Sequence, residues 1–195
     1  MEEPLAAVIA GTWDRAAARK KYDEDQALQQ EMNRIRSGLS AAVRANDQDA
    51  AMEILDEAIL RFPENSSWRM QKFNLLLLRF HQYKAAYILG NQLVEKNFDD
   101  SMLLNSIAWA IADGKGLEVR DLDLALKAAT QANKLTESKD APILDTLARV
   151  YYEKGDLKSA VKWQKLAAKN ANADAMGDSI REALEQYQKE RKARL

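Results

Sequence analysis

Four alanines, Ala51, Ala86, Ala125 and Ala160, recur at steps of 35, 39 and 35 residues. Each follows a larger apolar anchor (Ile35, Met70, Leu104 or Leu144) by 16, 16, 21 and 16 positions, and the anchors step by 35, 34 and 40. A period of this length marks a repeat architecture in which each unit is one supersecondary element. Apolar residues at three- and four-residue spacing around the anchors make that element a pair of amphipathic helices. The frame with 21 positions carries five extra residues, which fall between Ala112 and Leu122, where Gly114-Lys115-Gly116 marks a loop. The alanines have a packing reason: where two helices cross, a larger side chain would push them apart. Gly38, Asn74, Ala108 and Ala148 take the matching slot on the first helix of each pair, Asn74 being the departure from small size.

Composition narrows the class further. Seven Gly and three Pro in 195 residues are too few turns for many short strands. Lys+Arg (29) and Asp+Glu (30) balance, so this is not a strongly basic nucleic-acid binder. The apolar run from Pro4 to Ala10 is far too short to cross a bilayer, so no membrane insertion is expected. Met1-Glu2-Glu3 lacks the basic start of a signal peptide. With no Cys, thiolate chemistry has no residue to use, and one His makes a His-based metal site or triad nearly impossible. No Gly-rich phosphate loop, nucleophile elbow or paired buried carboxylates appear, and no cofactor is expected.

Periodicity and punctuation predict helices over 2–10, 12–45, 48–62, 66–80, 83–97, 101–113, 121–135, 141–153, 157–171 and 175–193. Thr12 is the expected N-cap of the second, with Asp14 in its first turn; Asn65, Ser66 or Ser67 caps the helix near Trp68, and Gly155-Asp156 reads as a stop followed by a cap. The second helix either runs long into the first repeat or breaks at Asp23-Glu24-Asp25.

The motif Leu144-x2-Leu147-Ala148-x2-Tyr151, then Ala160 and Ala167, resembles the tetratricopeptide repeat family. The same frame finds Leu104, Ile107, Ala108 and Ile111 with Ala125 and Ala132. It finds Met70, Phe73 and Leu77 with Ala86 and Leu93, and Ile35, Leu39 and Ala42 with Ala51, Leu55, Ala58 and Pro63. Gly90 and Gln164 stand in a slot that the family usually fills with a large aromatic. The resemblance covers residues 32 to 171 and implies an all-α right-handed superhelical solenoid of antiparallel helix pairs. It implies a concave groove lined by first helices that holds a peptide or partner helix, and a C-terminal cap. Met176 to Leu195 fits the cap, with Ile180, Ala183, Leu184 and Tyr187 on one stripe and Arg181, Glu182, Glu185, Lys189 and Glu190 toward water.

A narrower resemblance concerns Leu104-Asn-Ser-Ile-Ala-Trp-Ala-Ile-Ala, Asp123-Leu-Ala-Leu-Lys-Ala-Ala and Ile143-Leu-Asp-Thr-Leu-Ala-Arg-Val-Tyr-Tyr-Glu-Lys-Gly-Asp. These are similar to the C-terminal repeat region of some bacterial thioredoxin-like (redoxin) proteins. Glu2 to Trp13 looks like the last helix of their thioredoxin fold running into a linker. The implied organisation is a remnant of that helix plus linker over 1–12, about four repeats over 13–174 and a capping helix over 175–195. No redox activity transfers, because the Cys-x-x-Cys has no counterpart. Leu5, Val8 and Ile9 are then expected to fray or to dock on a neighbouring chain, giving a homodimer through the N-terminal helix. A secreted reductase as parent implies a periplasmic location, and a cytoplasmic location follows otherwise.

In the repeat frame the groove is lined by Asn33, Arg36 and Ser40; then Trp68, Gln71, Leu75 and Arg79; then Met102, Asn105 and Trp109; then Asp145, Arg149 and Tyr152. Arg36, Trp68, Gln71, Arg79, Asn105, Trp109, Arg149 and Tyr152 form the candidate partner-binding set, since aromatics, Arg and amides suit peptide recognition. The expected function is a non-catalytic protein-interaction module. The alternative is a structural or dimerisation module that positions a redox domain. Trp68 and Trp109 equally suit inter-repeat core. Arg149 equally suits an ion pair with Asp145 one turn earlier. The Lys and Asn clamp that grips carboxylates in some repeat proteins is not reproduced, although Arg36, Arg79, Arg149 and Asn105 would suit an acidic peptide.

Other features read as structural. Asp23-Glu24-Asp25 is a solvated face, Asp121 an N-cap, and His81 a residue meeting carbonyls at a helix end. Met32, Met52, Met70 and Met102 read as packing, and the basic stretch 189–194 as a solubilising tail.

Overall fold

The computed structural model describes residues 14–194. Among them the chain is all-α: nine α-helices, one of them extended by a π-helical turn, and no strand. No helix among the described residues is long and apolar enough to cross a membrane. Thr12 and the helix expected over 2–10 with Leu5, Val8 and Ile9 lie outside the described residues. Two compact units divide the chain between Pro63 and Glu64.

The first unit contains α1 (Arg15–Arg44) and α2 (Gln48–Arg61). The cap observed for α1 is Asp14, whose carboxylate accepts from Ala16 N at 2.9 Å and Ala17 N at 3.0 Å. The helix runs through Asp23-Glu24-Asp25 without a break, with Arg19 3.6 Å from Asp23 and Lys20 3.8 Å from Glu24. Such exposed pairs contribute at most a few tenths of a kcal/mol. Packing starts only in the second half, where Ile35, Leu39 and Ala42 are buried, as are Ala51, Leu55 and Ala58 on α2. The turn between them closes with Asp47 N donating to Ala42 O at 2.9 Å. Asn46 sits there at φ 56, a left-handed position that Asn tolerates well.

The second unit contains α3 (Ser66–Asn74), α4 (Tyr83–Lys96), α5 (Ser101–Asp113), α6 (Leu122–Leu135), α7 (Ala141–Glu153), α8 (Leu157–Asn170) and α9 (Ala175–Ala193). Side chains of Asn65, Asp100, Asp121, Asp140, Asp156 and Asp174 cap all of these except α4. Each such cap is worth ~1 kcal/mol and fixes where its helix begins. The α7–α8 connection has only three residues, Lys154 to Asp156. It cannot carry the chain back along a helix ~20 Å long, so these packed neighbours run antiparallel. Helix α5 packs on α6 and α7, α7 on α8, and α8 on α9. Ala108, Ala125, Ala148 and Ala160 are completely buried at these crossings, and Ala86 is completely buried on α4.

Three details depart from the expected pattern. The helix predicted over 66–80 widens into a π-helical turn at Leu75–Arg79, with Phe80 N donating to Leu75 O at 2.9 Å. Within it Leu76 and Leu77 are buried while Leu78 and Arg79 stay exposed. The chain then reverses at His81, φ 53, whose Nδ1 lies 3.1 Å from the Tyr83 hydroxyl and not on a helix carbonyl. Met102 is 64% exposed and not packed in the core, whereas Leu103 and Leu104 beside it are buried; Met32, Met52 and Met70 are half-buried.

The extra residues after α5 carry their own fastening. Arg120 reaches back to the C-terminus of α5 and donates to the carbonyls of Ile111 (2.5 Å), Ala112 (2.9 Å) and Gly114 (2.8 Å). A cation there satisfies orphan carbonyls and opposes the negative end of the helix dipole. From α4, Tyr87 donates its hydroxyl proton to Val119 O at 2.6 Å, and the Tyr83 hydroxyl accepts from Glu118 N at 3.1 Å.

Helix α9 lays its stripe on α7 and α8. Ile180 is buried with Leu144 and Ala167, and Tyr187 with Ala148, Ala160 and Val161, while Ala183 and Leu184 pack alongside. Glu190, expected to face water, instead accepts the Tyr152 hydroxyl proton at 2.7 Å.

Candidate ligand groove on α5, α7 and α9

Residues four apart share one helix face. That spacing puts Asn105 and Trp109 side by side on α5, and Asp145 and Arg149 on α7. The two faces, with the start of α9, enclose an open cavity of about 540 Å³ lined by Asn105, Trp109, Pro142, Asp145, Thr146, Ala175, Met176, Ser179 and Ile180. Trp109 is 40% exposed there, an unusual state for an indole. Asn105 Oδ1 is buried and has no hydrogen-bond partner.

Asp145 is held from behind. Gln164, completely buried on α8, donates its amide to the Asp145 carboxylate and to Ile180 O at 3.0 Å. Burial pushes the Asp145 carboxyl above its ordinary range; the Gln164 hydrogen bond and the Arg149 charge pull the other way, and Asp113 adds to the rise.

Arg149 does not pair with Asp145. Its guanidinium lies 3.3 Å from Asp113 on α5 and 2.9 Å from Glu153 one turn ahead, and 5.4 Å from the centre of the Tyr152 ring. Reaching forward to Glu153 turns it away from the residue one turn behind. Burial works against its charge, but Tyr187, Glu153 and Asp113 outweigh burial and hold its pKa above the usual value. Tyr152 stacks on Tyr187 of α9 with ring centres 4.4 Å apart. Its hydroxyl is raised in pKa by its bond to Glu190, then by burial. Burial pushes the Tyr187 hydroxyl up to about 12, with Arg149 opposing.

The sequence-predicted residues therefore separate. Asn105 and Trp109 line the cavity. Arg149 and Tyr152 stand further along α7, engaged by Asp113, Glu153, Tyr187 and Glu190. Trp68 is 3% exposed, which fits the core-filling reading, and its indole nitrogen is buried without a partner. Gln71 is exposed and lines a second cavity of about 480 Å³ with Ser67, Asn74, Met102 and Ser106. Arg79 is exposed at the end of the π-helical turn, and Arg36 is exposed on α1 in the first unit.

No protein-family model matches the chain, and no curated protein matches it. The groove is thus defined by its own geometry. Met176 and Ser179 come from α9, outside the repeat frame, and no repeat spacing points to them. Among the described residues no group of three His, Asp or Glu is placed to hold a metal ion.

Proposed function

We propose that the chain is a tetratricopeptide-type right-handed solenoid acting as a non-catalytic protein-interaction module, with α5, α7 and α9 presenting a preformed groove to a peptide or partner segment. The observation that carries this reading is the open cavity beside a part-exposed Trp109. A part-exposed indole at a concave site is what a partner can cover. The repeat spacing and its completely buried alanines support the solenoid. A groove set between packed helices loses little ordering entropy on binding.

A displayed peptide library panned on the full chain tests this. Enriched peptides should bind the wild type and lose about tenfold or more in affinity to Trp109→Ala, a loss typical of an aromatic anchor. No enrichment, or undiminished binding to a folded Trp109→Ala, would sink the proposal.

A second reading has its own observation. The first half of α1, from Arg15 to Gln30, is poorly buried, with Tyr22 and Leu28 exposed. This suits a structural module that dimerises or positions another domain. Sedimentation of the isolated chain separates the two, since a tight dimer favours the second. The resemblance to thioredoxin-like C-terminal regions carries a further proposal, that the repeats work beside a redox domain. An immunoblot of cells that make the protein checks it: a band near 22 kDa argues for repeats made alone, and a larger band for a joined domain.

A further inference from the structure

The side-chain polar atoms of the α5–α7–α9 cavity are mostly acceptors. Thr146 Oγ1 donates to Pro142 O at 3.0 Å and Ser179 Oγ donates to Ala175 O at 3.1 Å. Both hydroxyl protons are thereby used, and only acceptor capacity is left on each oxygen. Asn105 Oδ1 is buried with no donor. The Gln164 amide protons serve Asp145 and Ile180 O. Asp145 has that one neutral donor and no ion pair, because the nearest cation, Arg149, is held by Asp113 and Glu153. Against these acceptors stand two uncharged side-chain donors, the Asn105 amide and the Trp109 indole N–H, and the first-turn backbone N–H groups of Ala175 and Met176 at the start of α9. An anionic ligand would have to lie beside Asp145, whereas a cation would find a partner for it. The remaining walls are apolar or aromatic: Trp109, Pro142, Met176 and Ile180.

We infer that this cavity receives a basic side chain of a protein partner, with Asp145 as counter-ion to the arginine or lysine head and Trp109 and Met176 against its aliphatic stem. The inference rests on the groove reading above and names the chemistry of its ligand. It reverses, for this cavity, the acidic peptide suggested by the arginines of the sequence: Arg36 and Arg79 do not line it, and Arg149 is already neutralised. A long side chain with an apolar stem and a charged tip matches apolar walls around one carboxylate. An exposed indole face adds cation–π attraction. The volume of about 540 Å³ exceeds what one head group fills and leaves room for flanking residues of an extended segment.

The test uses the full chain labelled with ¹⁵N, following the Trp109 indole N–H resonance, which is assigned by its loss in Trp109→Phe. The probes are acetyl-Ala-Arg-Ala-amide, the same peptide with neutral citrulline, the same with Glu, and free spermidine. The arginine peptide should shift the resonance saturably, and binding should weaken by about tenfold for citrulline and for Asp145→Asn, the usual loss when a charge-assisted bond is removed. Equal shifts with arginine and citrulline overturn the inference, and that comparison needs no variant to fold. A Glu peptide that binds best also overturns it. Spermidine binding as tightly as the arginine peptide overturns the protein source. If library peptides without a basic residue shift Trp109 while the arginine probe does not, the charge inference falls and the groove reading stands. If no peptide of any charge shifts it, both fall.

Discussion

Gln164 on α8 donates one side-chain amide group to two places, the Asp145 carboxylate on α7 and the Ile180 carbonyl on α9, and it does so from a completely buried position. The family resemblance would put a large aromatic there. A polar residue fills the slot instead, and it ties three helices together while holding the groove's carboxylate. Its own Oε1 is buried without a partner, so the arrangement costs something to keep.

Replacing Gln164 by Leu keeps the volume and removes the donor. Asp145 and the Ile180 carbonyl are then left unsatisfied. We expect a loss of about 1–3 kcal/mol, the cost of orphaned buried acceptors, read as a lower urea midpoint with an unchanged slope. A variant as stable as the wild type would mean water replaces the amide at no cost.

The buried position of Asp145 also sets a pH dependence. Its folded pKa is raised above the unfolded value, chiefly by burial. Between those two values the native state binds more protons, so stability contributed by this group falls as pH rises through that window. Asp145→Asn removes the effect. The stability of Asp145→Asn relative to the wild type should therefore increase from below the ordinary carboxylate range to neutral pH, in paired denaturant titrations. A constant difference would show that Asp145 titrates normally.

Gly90 is buried on α4, and a Cβ there would meet Phe73 Cε2 at 2.9 Å and Leu124 Cδ2 at 3.1 Å. Alanine in a helix gains ~1 kcal/mol over glycine, but overpacking a dense core costs ~1–3 kcal/mol. Phe73 is completely buried and cannot swing away, so the clash should win and Gly90→Ala should melt lower. Adding Phe73→Leu should restore part of the loss. If Gly90→Ala melts higher, the core yields more easily than its packing indicates.

Arg120→Ala strips three hydrogen bonds from the end of α5. We expect a loss of about 1–3 kcal/mol and faster amide exchange across 114–121, with α1 and α2 unchanged. Lysine should not rescue, since one ammonium cannot reproduce the guanidinium fork on carbonyls spread over the last turn. Unaltered exchange in 114–121 would leave the two tyrosines of α4 as the effective fastening.

What was legible in the sequence follows from what periodicity reports. Apolar spacing says which face of a helix is buried, and small residues at fixed intervals say where helices cross. Helix α9 was found over 175–193 for that reason, and α5 over 101–113. Spacing does not say which neighbour a polar side chain meets. Arg149 has acidic residues within reach on either side along α7, and only the position of Asp113 on α5 shows which way it turns. Met102, which the spacing admits both as groove lining and as packing, is exposed, because methionine is tolerated on either face. The π-helical turn has no signature in Leu75-Leu-Leu-Leu-Arg79, which is equally compatible with a regular helix. Asn105 and Trp109 were found because their helix belongs to the repeat frame; Met176 and Ser179 were not, because theirs lies outside it.

Packing in the second unit links each helix mainly to its immediate successor. Contacts this local favour rapid folding, and they can form in order as a chain leaves the ribosome. Each new hairpin would find its predecessor already in place. The exception is the face of α7 where Leu144 and Ala148 meet Ile180 and Tyr187 of α9, two helices further on. That face waits for α9, so during synthesis there is a window in which α7 and α8 are paired but still sticky, and chaperones that watch nascent chains would meet this protein there.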